Sequence, residues 1–291
     1  MAGVLTLRAP DVNDTLRPGL AASREFRFTQ ADFERVRRLI YEHAGISLSP
    51  IKKEMVYSRL VRRLRALELD SFEAYLAHLE REGGGEWETF VNALTTNLTS
   101  FFREPHHFGI LAQQMHASSS RPFRIWCAAA STGEEVYSLA ITACESFDSL
   151  SPPVSIIASD IDTNVLNTAR AGVYPLERTE PLGAERLRRF FLRGTGSRAG
   201  YARVRPELQA MLDFQRINLL DSSWPVRGTF DAIFCRNVMI YFDKNTQLRV
   251  LQRFKPCLAA HGLFYAGHSE SFLHAADLFR SRGRTVYEHA R

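Results

Sequence analysis

The stretch RIWCAAASTGEEVYSLAI, residues 124–141, decides the fold. It begins as an apolar run typical of a buried strand, passes through a turn of small residues and ends as a helix that starts with two glutamates. A strand, a tight turn and a helix in this order form the first part of a nucleotide-binding α/β unit. A dinucleotide site uses the glycine pattern GxGxxG in this turn, whereas here the turn holds one glycine, Gly133. The stretch therefore predicts an α/β sheet with a different ligand.

The rest of the second half of the chain repeats the alternation of strand and helix. Apolar, β-rich runs occur at FRIWCA, VSIIAS, MLDFQRI, FDAIFC and GLFYAG, and helical patterns separate most of them. Such alternation predicts a mostly parallel sheet covered on both faces, with its ligand beyond the carboxyl ends of the strands. Polar residues follow four of the runs: the STGEE turn, Asp160, Asn218, and Arg236 with Asn237. We expect these four strand ends to form one site.

The start of the helix limits the choice of ligand. Glu134 and Glu135 stand where a phosphate would have to bind, and their charge would repel it. Asp160, at the end of the second strand, suits the two hydroxyls of a ribose. A nucleoside that carries a cationic tail in place of phosphates fits this pattern, and S-adenosylmethionine is such a molecule. Glu135 has a second interpretation, because Thr132-x-x-Glu135 is also the pattern of a helix capping box.

The first third of the chain is organised differently. Residues 1–25 lack periodicity and contain two prolines, which predicts a mobile tail. Residues 26–93 have a helical pattern throughout, with Thr29 expected to cap the start of the first helix and Gly45 its end. We therefore expect a small all-helical domain, followed by an α/β domain over residues 94–291.

Positive charge is concentrated in one predicted helix. The net charge of the chain is +5, and residues 51–65 alone contain six basic residues and one acid. Apolar residues recur there at helical spacing, so one face of the helix is apolar and the other basic. The basic face is either a solvated surface or a docking surface for an acidic partner, which it would attract in a salt-dependent way. The candidate docking residues are Lys52, Lys53, Arg59, Arg62 and Arg63.

Several classes of protein are disfavoured. The apolar runs are far shorter than the roughly 20 residues needed to cross a bilayer, and the start of the sequence has no signal pattern. We therefore expect a cytoplasmic protein without membrane insertion, and a monomer. No metal site is expected, because the cysteines lack metal-ligand spacing and His106 and His107, adjacent on a helix, should point about 100° apart.

Six motifs, in order along the chain, closely resemble the chemotaxis receptor glutamate O-methyltransferases. The resemblance runs from about Phe26 to the C-terminus and includes long, specific stretches. The motifs are TTNLTSFFREPHHF (95–108), WCAAASTGEEVYSLAI (126–141), ASDIDTNVLNTARAGVY (158–174), FDAIFCRNVMIYFDK (230–244), GHSESF (267–272) and RGRTVYEH (282–289). Val136 stands where the family usually has proline, a residue that only presets the first turn of a helix.

The resemblance implies an all-helical N-terminal domain and a Rossmann-like class I methyltransferase domain with a small inserted β-subdomain, here about residues 176–208. It implies methyl transfer from S-adenosylmethionine to glutamate side chains of methyl-accepting chemotaxis receptors, with S-adenosylhomocysteine as the second product. The family's catalytic pair falls on Arg103 and Tyr241. Its cofactor contacts fall on Asn97, Thr99, Arg103, Glu135, Asp160, Asn218, Leu219, Arg236 and Asn237.

Two other functions are compatible with parts of the pattern. A nicotinamide-dependent oxidoreductase could use a similar sheet, although the glycine fingerprint is missing. A nucleic-acid binding protein could use the basic helix, and its affinity would then fall steeply with salt. We expect neither a nicotinamide cofactor nor a nucleic-acid partner.

Overall fold

The computed structural model describes residues 24–82, 84–119 and 122–290. The tail expected at residues 1–25 lies almost wholly outside these ranges. None of the helices within them is both long and apolar enough to cross a membrane.

Two sets of elements make up the described chain. The helices are α1 (Gln30–Ala44), α2 (Lys53–Ala66), α3 (Phe72–Glu82), α4 (Gly85–Leu94), α5 (His106–Ala117), α6 (Glu134–Ser146), α7 (Thr163–Ala171), α8 (Gly183–Phe190), α9 (Pro206–Gln209) and α10 (Lys244–Phe254). The strands are β1 (Phe123–Cys127), β2 (Val154–Asp160), β3 (Val173–Pro175), β4 (Phe191–Arg193), β5 (Tyr201–Val204), β6 (Leu212–Arg216), β7 (Phe230–Cys235), β8 (Leu258–Ala266), β9 (Phe279–Gly283) and β10 (Val286–His289).

The first four helices pack around their own apolar core. The Thr29 hydroxyl accepts a hydrogen bond from Asp32 N–H, and the Asp32 carboxylate accepts one from Thr29 N–H, so a capping box starts α1. Gly45 ends the helix in the left-handed conformation, with φ of 70°. Both predicted caps are therefore confirmed. A buried cluster that includes Phe33, Phe72 and Phe90 holds the helices together.

The larger unit is a seven-stranded sheet in the order β6-β2-β1-β7-β8-β10-β9. The first five strands of this order are parallel, and β10 and β9 are antiparallel to their neighbours. The five predicted apolar runs correspond to β1, β2, β6, β7 and β8, so the predicted fold class is confirmed. The chain builds outward from β1 through β2 to β6, then returns to β7 on the other side of β1. Crevices at the carboxyl ends of strands around such a switch point are the usual place for a ligand.

A second, small sheet is inserted between α7 and β6. Its three antiparallel strands have the order β3-β5-β4 and span Val173–Val204, slightly ahead of the expected range of 176–208. Gly194, in the β4–β5 connection, has no room for a side chain, because a Cβ there would lie 2.0 Å from Arg198 O. The insertion therefore contains a tight hairpin between β4 and β5.

Candidate active site

A cleft of about 350 Å³ opens at the carboxyl ends of β1, β2 and β7. This volume lies within the range of small-molecule sites. The cleft brings together every residue that the sequence suggested for cofactor binding or catalysis. They are Asn97, Thr99, Arg103, Glu135, Asp160, Asn218, Leu219, Arg236, Asn237 and Tyr241.

One wall of the cleft comes from the helical domain. Residues 46–49, Lys52 and Met55 line it opposite the sheet. Ser47 N–H donates to Tyr241 O over 2.8 Å, which joins this wall to the loop after β7. The cleft is thus formed between the two domains, a feature that the sequence alone did not indicate.

The turn after β1 is held by backbone contacts. Ser131 has a positive φ of 49°, and its N–H donates to Asp160 Oδ2 over 2.8 Å. Ala130 N–H donates to Ser159 O over 2.9 Å. The turn is therefore fixed to the end of β2, and the Asp160 carboxylate lies beside it.

Glu135 is not a helix cap. Gly133 is the N-cap residue of α6 and makes no side-chain hydrogen bond, while the Thr132 hydroxyl donates to Glu134 Oε2 over 2.6 Å. The Glu135 carboxylate instead accepts a hydrogen bond from Arg236 Nη1 and one from Cys127 Sγ at 3.4 Å. The capping-box interpretation of Glu135 is wrong, because the carboxylate turns toward the cleft and its buried cation.

Arg236 is the centre of a buried charge cluster. Its side chain is fully buried and pairs with both Glu135 and Glu104, the second at 3.2 Å, while Nη2 also donates to Arg103 O. Burial alone would lower the pKa of Arg236, but the two carboxylates raise it. For Glu104, burial would raise the pKa, but Arg236 and the N–H of His268 lower it on balance. Arg236 and Glu104 are therefore both ionised at neutral pH and pair with each other.

Asp160 is a buried carboxylate whose two oxygens face backbone donors. Oδ2 accepts from Ser131 N–H and Oδ1 from Asp162 N–H at 3.0 Å. Burial raises the pKa of Asp160 to about 6, although these hydrogen bonds act in the opposite direction. Each carboxylate oxygen can accept a further hydrogen bond. The group can therefore still take hydroxyl donors from a ligand in the cleft.

Arg103 and Tyr241 lie in the same cleft. Arg103 is half-buried, and its Nη1 donates to Leu98 O over 2.9 Å. Phe102, Glu104 and Asn237 have positive φ angles of 51°, 58° and 60°, so the segments that carry Arg103 and Asn237 are strained. Such conformations persist only where the surroundings enforce them, and they concentrate at functional sites.

Two of the predicted cofactor residues also connect parts of the fold. Asn97 Nδ2 donates to Asp162 Oδ2 over 2.8 Å, and Asn218 Nδ2 donates to His43 O over 2.8 Å. The Asn218 side-chain oxygen accepts from Leu220 N–H. Both amides are therefore oriented by the protein before any ligand binds.

Three carboxylates that organise the site were not identified from the sequence. Asp162 caps α7 and accepts from both Thr95 and Asn97. Glu270 accepts from the N–H groups of Asn237 and Met239 and so shapes the loop after β7. Glu104 joins Arg236 to the loop before α5. The only signal for Glu104 and Glu270 was their place within recognisable motifs, next to Arg103 and inside GHSESF.

His106 and His107 do not point apart as expected. Their ring centroids are 4.2 Å apart, and with Glu104 they form the one group of potential metal ligands in the described ranges. Arg236, however, already contacts Glu104 Oε2 at 3.2 Å. A second cation beside this guanidinium would be repelled. Burial and Arg236 lower the pKa of His107 to about 4, so the imidazole is neutral at pH 7.

Some of the candidate docking residues on α2 and the turn before it bind other parts of the fold, and the others are free for a partner. Arg59 Nη1 donates to Thr95 O and Ala93 O, and Arg63 makes two hydrogen bonds to Glu86. These two arginines are used inside the fold. Lys53 Nζ donates to Gln30 at 3.1 Å. Lys52 and Arg62 are exposed, and their side chains have no hydrogen-bond or ion-pair partner among the described residues.

The donor set fits S-adenosylmethionine. Two buried carboxylates, Glu135 and Asp160, line a cleft whose other walls include the apolar Ile161, Ile217 and Leu219. This combination suits a ligand with a cationic amino-acid end, ribose hydroxyls and a flat adenine. The parallel sheet with its switch-point cleft and this donor set define a class I methyltransferase that uses S-adenosylmethionine.

The chain belongs to the CheR methyltransferase family. Residues 31–95 match its all-alpha domain, and residues 97–287 match its SAM binding domain. The chain is 58% identical to chemotaxis protein methyltransferase 2 of Pseudomonas aeruginosa, over 92% of this chain and 96% of that one. It is 51% identical to the chemotaxis protein methyltransferase of Salmonella typhimurium, over 92% and 93% of the two chains. For the Escherichia coli protein of the same name, the identity is 50% over 92% and 94%. Membership of this family excludes the oxidoreductase alternative and identifies the chain as a methyltransferase of chemotaxis.

Proposed function

We propose that this protein methylates glutamate side chains in the cytoplasmic domains of chemotaxis receptors, with S-adenosylmethionine as methyl donor. The products are glutamate methyl esters and S-adenosylhomocysteine. The observation that carries the proposal is Arg103, which lines the cofactor cleft with one nitrogen fixed on Leu98 O. Nε and Nη2 have no partner among the described residues. A guanidinium with two free N–H groups matches a carboxylate in a two-pronged contact.

Arg103 is held firmly enough to orient an acceptor. Its backbone oxygen accepts a hydrogen bond from Arg236 Nη2, and its Nη1 donates one to Leu98 O. Positioning of two reactants contributes several kcal/mol to a reaction of this kind. A methyl acceptor carboxylate bound to Arg103 would therefore be fixed within the cleft that holds the donor.

The reaction needs no general base. A glutamate side chain has a pKa of about 4.3 and is already ionised at neutral pH. Arg103 is therefore needed only to hold the carboxylate. Tyr241 does not have to remove a proton. Tyr241 is half-buried at the cleft wall, and we assign it the role of excluding water beside the acceptor.

The cofactor would be held by the carboxylates of the cleft. Glu135 would face the ammonium of its methionine part and Asp160 the ribose hydroxyls, with Asn97, Thr99, Asn218, Leu219 and Asn237 along the remaining walls. When bound, S-adenosylmethionine supplies a methyl group activated by its positive sulfonium. The Arg236 guanidinium would keep the Glu135 carboxylate in place while it also pairs with Glu104.

The test uses S-adenosylmethionine labelled in the methyl group and purified receptor cytoplasmic fragments. We expect label on the receptor that is released as methanol by mild base, which identifies an ester. Arg103→Ala should abolish this product while cofactor affinity, measured by calorimetry, falls by roughly fivefold or less. Base-stable label on the receptor, or wild-type turnover by Arg103→Ala, would refute the proposal.

A further inference from the structure

The small inserted sheet and the segment after its first strand contact the turn between β1 and α6 directly. Tyr174, on β3, is buried, and its hydroxyl donates to Thr132 O over 2.7 Å. Arg178, in the segment after β3, places Nη2 2.9 Å from Oε1 of the fully buried Glu134. Thr132 and Glu134 stand on either side of Gly133, so the insertion holds both ends of the turn that opens α6.

The contact is close enough to require glycine between these two residues. Gly133 has φ of 96°, and a Cβ on it would lie 2.7 Å from the Tyr174 hydroxyl and 2.8 Å from Ala169 Cβ. The turn therefore packs on Tyr174 without space for a side chain. A shift of Tyr174 or of the ion pair would move the turn as a unit.

The same insertion also packs against the segment before Arg103. The Phe101 ring lies 5.1 Å from the Tyr174 ring and 5.8 Å from that of Phe191, both edge-to-face. The Arg186 guanidinium lies 4.0 Å above the Phe102 ring. The insertion thus contacts two segments that each contribute residues to the cleft, the one that carries Arg103 and the turn between Ser131 and Glu135.

We infer that Tyr174 and Arg178 are positioning residues for S-adenosylmethionine. Neither side chain lines the cleft; each acts through the turn, whose Ser131 and Glu135 do line it. Without Arg178, the buried Glu134 carboxylate would lose its cation and keep only the Thr132 hydroxyl as a hydrogen-bond donor. A buried carboxylate in that state draws in water or moves, and the turn moves with it.

The test is calorimetric titration of the full chain with S-adenosylmethionine, together with thermal unfolding. We expect Arg178→Met to raise the dissociation constant about tenfold and Tyr174→Phe to raise it about threefold. Arg178→Lys, which retains the charge, should recover part of the loss. The matched control is Arg198→Met in the same insertion, because Arg198 is exposed and its side chain has no partner in the described part of the chain. This variant should bind like the wild type.

Methylation assays at saturating receptor should show the same pattern, a raised KM for S-adenosylmethionine with kcat within about twofold. A lower melting temperature with unchanged affinity in Arg178→Met and Tyr174→Phe would show a purely structural role and overturn the inference. If Arg178→Met fails to fold, Tyr174→Phe, which removes one hydroxyl, decides the matter alone. The binding readout does not depend on which residue accepts the methyl group.

Discussion

Arg236, which lines the cleft, forms an ion pair with Glu104 at 3.2 Å, and the same guanidinium also binds Glu135. Glu135 is proposed to bind the cofactor, whereas Glu104 follows Arg103, the residue proposed to hold the methyl acceptor. Arg236 Nη2 in addition binds Arg103 O. One buried side chain therefore fixes both halves of the site relative to each other.

Removing this cation should strongly destabilise the fold. Arg236→Met removes the guanidinium but leaves the buried Glu135 and the partly buried Glu104 without their cation. We expect the free energy of unfolding to fall by about 3–5 kcal/mol, the usual effect of breaking a buried pair from one side. Urea unfolding followed by circular dichroism measures it. Arg62→Met, at an exposed position on α2, should stay within about 0.5 kcal/mol of the wild type. A loss below about 1 kcal/mol for Arg236→Met would contradict the role assigned to the cluster.

A substitution of Glu135 distinguishes its two possible roles, cofactor binding and helix capping, between which the sequence could not decide. Because its carboxylate makes no cap contact and faces Arg236, Glu135→Ala should lower S-adenosylmethionine affinity by roughly tenfold or more through the lost charge. Calorimetric titration measures the affinity, and Glu73→Ala, an exposed glutamate in the first turn of α3, is the control. Unchanged affinity together with lower stability would return Glu135 to a purely structural role.

The affinity for S-adenosylmethionine should depend on pH through Asp160. The free protein has a pKa of about 6 at this carboxyl because the group is buried. Ribose hydroxyls donate hydrogen bonds and favour the ionised form, so bound ligand lowers this pKa. Protons therefore compete with the ligand below pH 6, and affinity should fall by up to tenfold per pH unit there. Between pH 6 and pH 7 it should level off.

Titrations at pH 5, 6 and 7 test this dependence, and Asp160→Asn is the matched variant. The asparagine has no charge to titrate, so its weaker binding should be flat over the same range. The α-amino group of the ligand titrates near pH 8, outside this window. Equal affinity of the wild-type protein at pH 5 and pH 7 would exclude Asp160 as a ligand of the ribose.

The parts of the site that the sequence predicted follow from the geometry of a parallel sheet. Asp160 ends β2, Arg236 and Asn237 follow β7, and the carboxyl ends of parallel strands meet at one edge. Asn97 and Thr99 have no such signal, because they precede the sheet in an irregular segment. Only the resemblance to a family identified them. The wall formed by residues 46–49, Lys52 and Met55 arises from packing between domains, which no local pattern encodes.

Glu135 shows why a short pattern can be misleading. The Thr132-x-x-Glu135 spacing is compatible with a cap, and nothing within the turn contradicts it. The partner that decides the conformation is Arg236, 101 residues further along the chain. Leaving the buried Arg236 without a partner would cost about 3–5 kcal/mol, more than the roughly 1 kcal/mol that a cap contributes. The expected divergence of His106 and His107 was wrong for a related reason, since tertiary packing sets their side-chain angles.

The basic helix provides the last prediction, and the structure changes which residues should be tested. Reversing Arg59 or Arg63 to glutamate would break their bonds to Thr95 O and Glu86, so lost activity in such variants would not report on docking. Arg62 is exposed and has no partner in the described ranges. If α2 docks on an acidic receptor surface, Arg62→Glu should lower kcat/KM for the receptor by roughly threefold to tenfold at low salt.

The difference between Arg62→Glu and the wild type should shrink toward 0.5 M salt, where charges more than a few ångströms apart are screened. S-adenosylmethionine affinity should not change, because Arg62 lies outside the cleft. Arg188→Glu, an equally exposed reversal on α8, is the control and should methylate at the wild-type rate. If the two reversals have the same effect, the loss reflects net charge alone and α2 is not the docking surface. A loss specific to Arg62 and removed by salt would identify a local charge contact, since long-range steering would respond to both positions.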